Sequence, residues 1–301
     1  MMTIHMSRKI RNRMFEKGVL SMVIAHNIAA MTALRYNKLI NSRLQKVMRQ
    51  LSSGYRINCA ADDAVGLAIS ERMRAQISGL NTASQNAQDG ISLIQTAEGA
   101  MDEVHSMLQR MRELANKAAN GTYTTAEREN MNFEVQELKA AINGISSSTN
   151  YNTMNLLDGS TNTIGSNDAS SIKLQVGANA GQTMNMQIDN ISTDKIGISN
   201  LDISTQSGAS SALSVIDNAI NKVSTSRGRL GAYQNRLEHT ISNLENQAEN
   251  LQEAESRIRD TDMAKSMMEY VQLSIMAQAN QLMIAQALKQ PNMVLTLLQS
   301  L

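Results

Sequence analysis

The sequence predicts a mainly α fold: a rod-like antiparallel bundle of coiled-coil character with a small β-hairpin region in mid-chain. Three observations carry that expectation. First, alternate steps of three and four from Leu213 lead through Ile216, Ile220, Val223, Arg227, Leu230, Gln234, Leu237, Ile241, Leu244, Ala248, Leu251 and Glu255 to Ile258, and eleven of these fourteen positions are apolar. A heptad seam of that length specifies one helix of about 70 Å with a stripe to bury. Second, hydrophobic residues make up 42% of the 301, yet they include 21 Met, two Phe and no Trp, and the chain has a single Pro. That alphabet suits long packed helices and lacks the aromatic residues of a large all-β or α/β core. Third, between Ser146 and Ser211 the residues turn to Ser, Asn, Gly, Thr and Asp, so periodic segments flank a thin, loop-rich middle.

Taken in order, residues 1–21 form a basic leader in which Arg8, Lys9, Arg11, Arg13 and Lys17 face only Glu16. The apolar run after it is broken by Ser21 and lacks a small-x-small cleavage site, which favours a start placed too far upstream, with Met22 as the beginning, over a cleaved signal. From Ile24 to Leu51 the apolar positions Ile24, Ile28, Met31, Ile40, Leu44, Val47 and Leu51 describe an amphipathic helix with a phase slip near Tyr36–Leu39. Ser52-Ser53-Gly54 ends it, and Asp62-Asp63 offers side-chain oxygens to the free N–H groups of the next helix. That helix runs from about Ala64 to Ala119 and closes at Asn120-Gly121. It contains Gly66, Gly79, Gly90 and Gly99, so lateral packing must offset their cost, with close approach as one means. Thr124 and Glu127 have capping-box spacing ahead of Met131, Val135, Leu138, Ile142 and Ile145, which predicts a third helix.

In the middle, Ile172–Val176 and Met184–Ile188 alternate at period two about a Gly- and Asn-rich link, the pattern of a hairpin. A lone hairpin is marginal in water and must lie against helices. After the long seam, Asp260-Thr261-Asp262 interrupts. A fresh stripe follows through Ala264, Met268, Val271, Ile275, Leu282 and Ala285, and Pro291 is expected to stop it before an apolar tail, Met293–Leu301. The expected divisions are therefore 1–21 leader, 22–62 N-terminal helical segment, 63–145 first half of the rod, 146–211 loops and hairpin, 212–260 long C-terminal helix and 261–301 C-terminal helical segment.

Chemistry is sparse. With 28 Lys and Arg against 27 Asp and Glu the net charge is +1, which gives no attraction to nucleic acid. His26, His105 and His239 do not begin His-Glu-x-x-His, and no phosphate loop is present. Cys59 has no nearby His in sequence to act as its base, and Asp62-Asp63 reads as a cap in preference to a catalytic dyad. No catalytic residue, metal or cofactor is expected. No stretch reaches the roughly 18 apolar residues of a membrane span.

Several long ordered segments resemble bacterial flagellins. They are Ile24–Ala30 (IAHNIAA), Leu51–Ser70 (LSSGYRINCAADDAVGLAIS), Asn86–Ala100 (NAQDGISLIQTAEGA), Gln109–Ala115 (QRMRELA), Leu230–Asn243 (LGAYQNRLEHTISN), Glu255–Ala264 (ESRIRDTDMA) and Pro291-Asn292 before the tail. Departures are the leader, Cys59 and Leu288-Lys289-Gln290. The resemblance implies a structural, non-enzymatic subunit of the extracellular flagellar filament. In that family subunits are exported unfolded through the flagellar type III apparatus and assembled beneath a cap, and the terminal segments order only in the filament core. The implied partners are identical copies, an export chaperone at the C-terminal segment, the cap and hook-junction proteins, and an animal Toll-like receptor. Receptor contact carries over onto Arg110, Leu114 and Glu134, with Lys117 standing where many receptor-activating members have Gln. Only about 65 residues separate the helical halves, which leaves out large outer domains and a metallopeptidase insert.

The residues agree with folding coupled to association, because the terminal stripes are too narrow to order a lone helix pair. Polymerisation is accordingly expected to use Ile24, Ile28, Met31, Leu44, Leu51, Val271, Ile275 and Leu282. Two alternatives stand beside the filament subunit: a hook–filament junction protein of the same superfamily, and a non-polymerising coiled-coil adaptor.

Overall fold

The structure, a computed structural model, describes residues 27–159 and 171–299, with the backbone alone for Ser171 and residues 290–299. The leader, Met22 and Ile24 lie outside the described residues. In chain order the elements are α1 (Ile28–Ser53), α2 (Ala64–Ala119), α3 (Thr125–Ser148), β1 (Asn150–Tyr151), β2 (Met154–Asn155), β3 (Ser171–Gln175), β4 (Thr183–Gln187), α4 (Thr193–Ile196), α5 (Gln206–Arg259) and α6 (Met263–Gln299). The mainly α class with hairpins in mid-chain is what the chain adopts. The described residues form two compact units, one within 71–255 and one of residues 27–70 with 256–299.

In the 71–255 unit, α2 and α5 run antiparallel, as the ion pairs Arg112–Asp217 and Arg227–Asp102, both 2.8 Å, require. The core joins Ile94, Met101, Leu108 and Met111 of α2, Val135 and Ile142 of α3, and Ile216, Val223, Leu230 and Leu237 of α5. The predicted seam of α5 holds at every seventh residue. Its other row differs: Ala212, Ala219 and Ser226 are buried, while Leu213, Ile220 and Arg227 are half-buried. Small side chains let neighbouring segments come close, so they are the ones fully covered.

α3 begins with the expected capping box, in which the Thr124 side chain accepts from the Glu127 N–H and the Glu127 carboxylate accepts from the Thr124 N–H at 2.7 Å. One residue beyond its apolar stripe lies a polar row at the same spacing, Asn132, Gln136, Lys139, Asn143 and Ser146. Asn132 accepts from the Ile203 N–H, Gln136 donates to the Leu201 carbonyl, Lys139 donates to the Ser199 carbonyl, Asn143 accepts from the Thr193 N–H and Ser146 donates to the Leu157 carbonyl. This row satisfies backbone groups of an irregular segment that has no ladder of its own.

β3 and β4 pair antiparallel with Ile172 opposite Met186 and Leu174 opposite Met184; the alternation is the expected one, and each strand begins and ends one residue earlier than Ile172–Val176 and Met184–Ile188. The hairpin lies on α2 where the glycines are: a Cβ at Gly90 would stand 2.4 Å from Leu174 Cδ1, and one at Gly79 would stand 2.9 Å from Ala178 Cβ. At Gly66 a Cβ would stand 2.8 Å from Ile57 Cδ1, and at Gly99 nothing lies within 4 Å, so close approach explains three of the four glycines of α2 and not Gly99. A shorter hairpin, β1–β2, turns on Asn152 and Thr153, both at positive φ (48° and 66°), as a tight two-residue connection needs.

In the other unit, Gly54 closes α1 in the left-handed conformation (φ 76°), its N–H donating to the Gln50 carbonyl. Of the two adjacent acids, Asp63 is the cap, accepting from the Gly66 N–H at 2.9 Å. Pro291 does not stop the last helix, because α6 runs on to Gln299. A proline inside a helix leaves the carbonyl four residues earlier without its donor. Here that carbonyl belongs to Ala287, and it accepts from the Asn27 side-chain amide at 2.8 Å. The same Asn27 side chain accepts from the Ala30 N–H and caps α1.

Candidate functional site

α1 and α6 pack as an antiparallel pair. Besides the Asn27 contact to Ala287, the Asn280 amide donates to the Ala33 carbonyl, and at the other end the Thr261 N–H donates to the Gly54 carbonyl at 2.9 Å. The connectors beside that end are tied together: the Arg56 N–H donates to the Arg259 carbonyl, and the Arg259 guanidinium sits 4.8 Å from the centre of the Tyr55 ring. Asp62 pairs with Lys46 of α1 at 3.0 Å and accepts from the Asn58 N–H. The lysine is the chief reason its carboxyl is held at about 2, below the ordinary 3.8. Cys59 is exposed, with its thiol 3.4 Å from the same carboxylate.

The inner seam follows heptad spacing on both helices. On α1 it comprises Ala30, Ala33, Asn37, Ile40, Leu44 and Val47, and on α6 it comprises Ser266, Tyr270, Leu273, Ala277, Asn280, Ile284 and Ala287, all buried or half-buried. Asn37 occupies the seam where the apolar pattern of α1 slips, so the helix runs through without a break. Few of these side chains are large, and only Ala30, Val47, Leu273 and Ala277 are fully buried apolar residues of the pair.

The stripe predicted on α6 lies elsewhere. Met268 (68% exposed), Val271, Ile275 (60%) and Leu282 (74%) stand about half a turn from the seam, facing away from α1. Met268, Val271 and Ile275, with Met267, Gln272 and Met276, line a shallow apolar groove. On α1, Ile28 and Met31 are exposed, whereas Leu44 and Leu51 are half-buried. Sequence reasoning therefore singled out the outward face of α6 and a mixture of the two faces of α1. It missed Ala30, Leu273 and Ala277, the small or mid-sized residues of the seam. Among the described residues, the large exposed apolar side chains fall almost wholly in this unit, the exceptions being Phe133 and Met154. Exposed apolar side chains grouped on one helix face, as on α6, are rare on a chain that works alone.

The remaining candidates lie in the 71–255 unit. Arg110 of α2 and Glu134 of α3 form an exposed ion pair at 2.8 Å, with Glu113 also bonded to Arg110 at 3.1 Å. Leu114 is 3% exposed and belongs to the core. Among the described residues no helix is long and apolar enough to cross a membrane.

Comparison with known proteins places this geometry. The family model of the bacterial flagellin N-terminal helical region matches residues 24–163, and that of the C-terminal helical region matches residues 213–298. A flagellin of Halalkalibacterium halodurans is 51% identical over 280 residues, covering 92% of this chain and all of that protein. The flagellar filament 33 kDa core protein of Treponema phagedenis is 44% identical, again over 92% of this chain and all of its relative. Among solved structures, a Vibrio parahaemolyticus protein described as flagellar hook-associated superposes with a TM-score of 0.55 at 16% identity, covering 66% of this chain and all of that one, a likeness of fold alone. Two family models flanking the middle and relatives matched over their whole length leave one assignment, and the chain belongs to the bacterial flagellin family.

Proposed function

We propose that this chain is a structural subunit that polymerises with copies of itself into the extracellular filament of the bacterial flagellum, and that it has no catalytic role. The observation that carries the reading is the apolar stripe of α6 on the side away from its own partner helix. Covering a side chain such as Ile275 or Leu282 is worth roughly 1.5–3 kcal/mol, and α1 already occupies the opposite side. Identical copies supply the missing cover. The names of the relatives, flagellin and flagellar filament core protein, support the same reading.

In this reading residues 22–62 and 261–301 build the filament's inner core, with Ile24, Ile28, Met31, Leu44, Leu51, Val271, Ile275 and Leu282 as its contacts. The segments 63–145 and 212–260 form the helical rod, and 146–211 holds its loops and β-hairpin. Export proceeds unfolded through the flagellar type III apparatus, with a chaperone on the C-terminal segment and the cap and hook-junction proteins as further partners. The exposed Arg110–Glu134 pair is the surface offered to a Toll-like receptor, with Leu114 supporting it from the core.

The test is removal of residues 22–53 or 263–301, with the product watched by electron microscopy after seeding with filament fragments. Either truncation is expected to leave a soluble helical protein that forms no filaments. Normal polymerisation of either product overturns the reading, and a small oligomer of fixed size from the full chain, unaffected by seeds, favours a coiled-coil adaptor.

A further inference from the structure

The methionines are distributed unevenly. In the 71–255 unit Met101, Met111, Met184 and Met186 are buried, whereas Met263, Met267, Met268, Met276 and Met283 of α6 are exposed, the last at 67%. Met267, Met268 and Met276 line the apolar groove beside Val271 and Ile275. The face proposed for assembly is thus also the richest display of thioethers among the described residues. We infer that the outward face of α6 is an oxidation site for hydroperoxides, and that its conversion to methionine sulfoxide makes a free subunit unfit to join a filament. This rests on the filament reading above.

The chemistry balances without a cofactor. The sulfur lone pair attacks the terminal hydroperoxide oxygen, the S–O bond forms as the O–O bond breaks, and that oxygen gives its proton to the departing hydroxide or alkoxide, which leaves as water or an alcohol. Sulfur is oxidised by two electrons and the peroxide is reduced by two. The product is polar and chiral, with an oxygen that needs a hydrogen-bond partner, in a groove where Gln272 carries the one side-chain donor and Val271 and Ile275 offer none. Covering it then opposes association. Copies already assembled hold the same sulfurs under their neighbours, so the reaction selects free subunits.

The experiment uses the full chain carrying Cys59→Ser, so that thioethers are the oxidisable sulfurs. Free protein is treated with hydrogen peroxide, mapped by peptide mass, and used to extend filament seeds. Sulfoxide is expected on the α6 methionines well before Met101, Met111, Met184 and Met186, with seeded elongation slowed roughly tenfold and restored by methionine sulfoxide reductases. A second variant with Met267→Leu, Met268→Leu, Met276→Leu and Met283→Leu, changes that conserve volume, is read against its own untreated elongation rate and is expected to lose none of it after peroxide. Unimpaired elongation by the oxidised parent, or equal inhibition of the four-leucine variant, overturns the inference. Failure of the untreated parent to elongate overturns the filament reading instead, and even oxidation of buried and exposed methionines then removes the site as well.

Discussion

Asn27 and Pro291 make a pair that a double-mutant cycle can isolate. The Asn27 side chain does two jobs at once: its oxygen caps α1 through the Ala30 N–H, and its amide donates to the Ala287 carbonyl at 2.8 Å. Asn27→Asp keeps the cap, since aspartate accepts equally well and suits the positive end of the helix. It removes only the donor, leaving the Ala287 carbonyl unpaired beside a new negative charge. For a half-buried carbonyl the expected cost is about 1–2 kcal/mol. Pro291→Ala returns an N–H to the position from which a helix normally satisfies residue 287, so in that background Asn27→Asp should cost close to nothing. The two changes are expected to couple by about 1–2 kcal/mol. Hydrogen–deuterium exchange of the amides around residues 281–289, measured in filaments of all four variants, reports it. Equal loss of protection in both backgrounds, or no loss from Asn27→Asp alone, refutes the argument that one side chain completes a helix broken by proline.

Other expectations concern single positions. Gly90→Ala puts a methyl 2.4 Å from Leu174 and 3.4 Å from Leu237, and overpacking of roughly 1–3 kcal/mol should exceed the gain in helix propensity of about 1. Gly99→Ala meets nothing within 4 Å and should raise stability by about 1 kcal/mol, so thermal unfolding must move in opposite directions for the two. Leu237→Asp places an unpaired charge at a fully buried seam position and should lower stability by several kcal/mol, and an unchanged midpoint would show the seam to be misplaced. Asp62 is held at about 2 against an ordinary 3.8, so its contribution is present above pH 4 and fades as pH falls toward 2. With Lys46 half exposed, screening limits the effect of Asp62→Asn at neutral pH to about 1 kcal/mol. Amide exchange near residues 58–66 should distinguish variant from parent at pH 6 and cease to do so near pH 2.

The parts of the fold readable from sequence are those fixed by neighbours along the chain. Thr124 and Glu127 announce α3 because both halves of the capping box lie within one turn, and Gly54 ends α1 because its positive φ is a local need. The α5 seam is readable because its partners press on one face only. Three features escape for the opposite reason. The polar row of α3 bonds to backbone far along the chain, as Asn143 does to Thr193, so nothing near Asn143 signals it. Pro291 reads as a stop because the donor that rescues its helix lies 260 residues away from Ala287. The orientation of α6 is ambiguous because Met268, Val271, Ile275 and Leu282 repeat at the same spacing as Tyr270, Leu273, Ala277 and Ile284. Two valid stripes on one helix cannot be ranked by periodicity, and the larger one turns out to face away from α1.

That double stripe bears on how the terminal unit holds together. The α1–α6 pair orders helices of 26 and 37 residues, yet its fully buried apolar side chains are two alanines, one valine and one leucine. Fixing each backbone residue opposes folding by about 1–2 kcal/mol, and a thin seam recovers little of that. Order in this unit must then depend on whatever covers the outward faces, and so on the concentration of that partner, while the 71–255 unit with its continuous core is independent of it. The two outward faces are not equivalent. α1 carries Arg35, Lys38, Arg43, Lys46 and Arg49 with no acidic residue in the helix, whereas α6 over Met268–Leu282 has Glu269 as its one charged residue. Lys46 is paired with Asp62, but burying the other four like charges without partners is prohibitive, so α6 supplies the broader face that apolar surfaces can cover, and a neighbour meeting Ile28 and Met31 of α1 must leave those charges to water or to acidic groups.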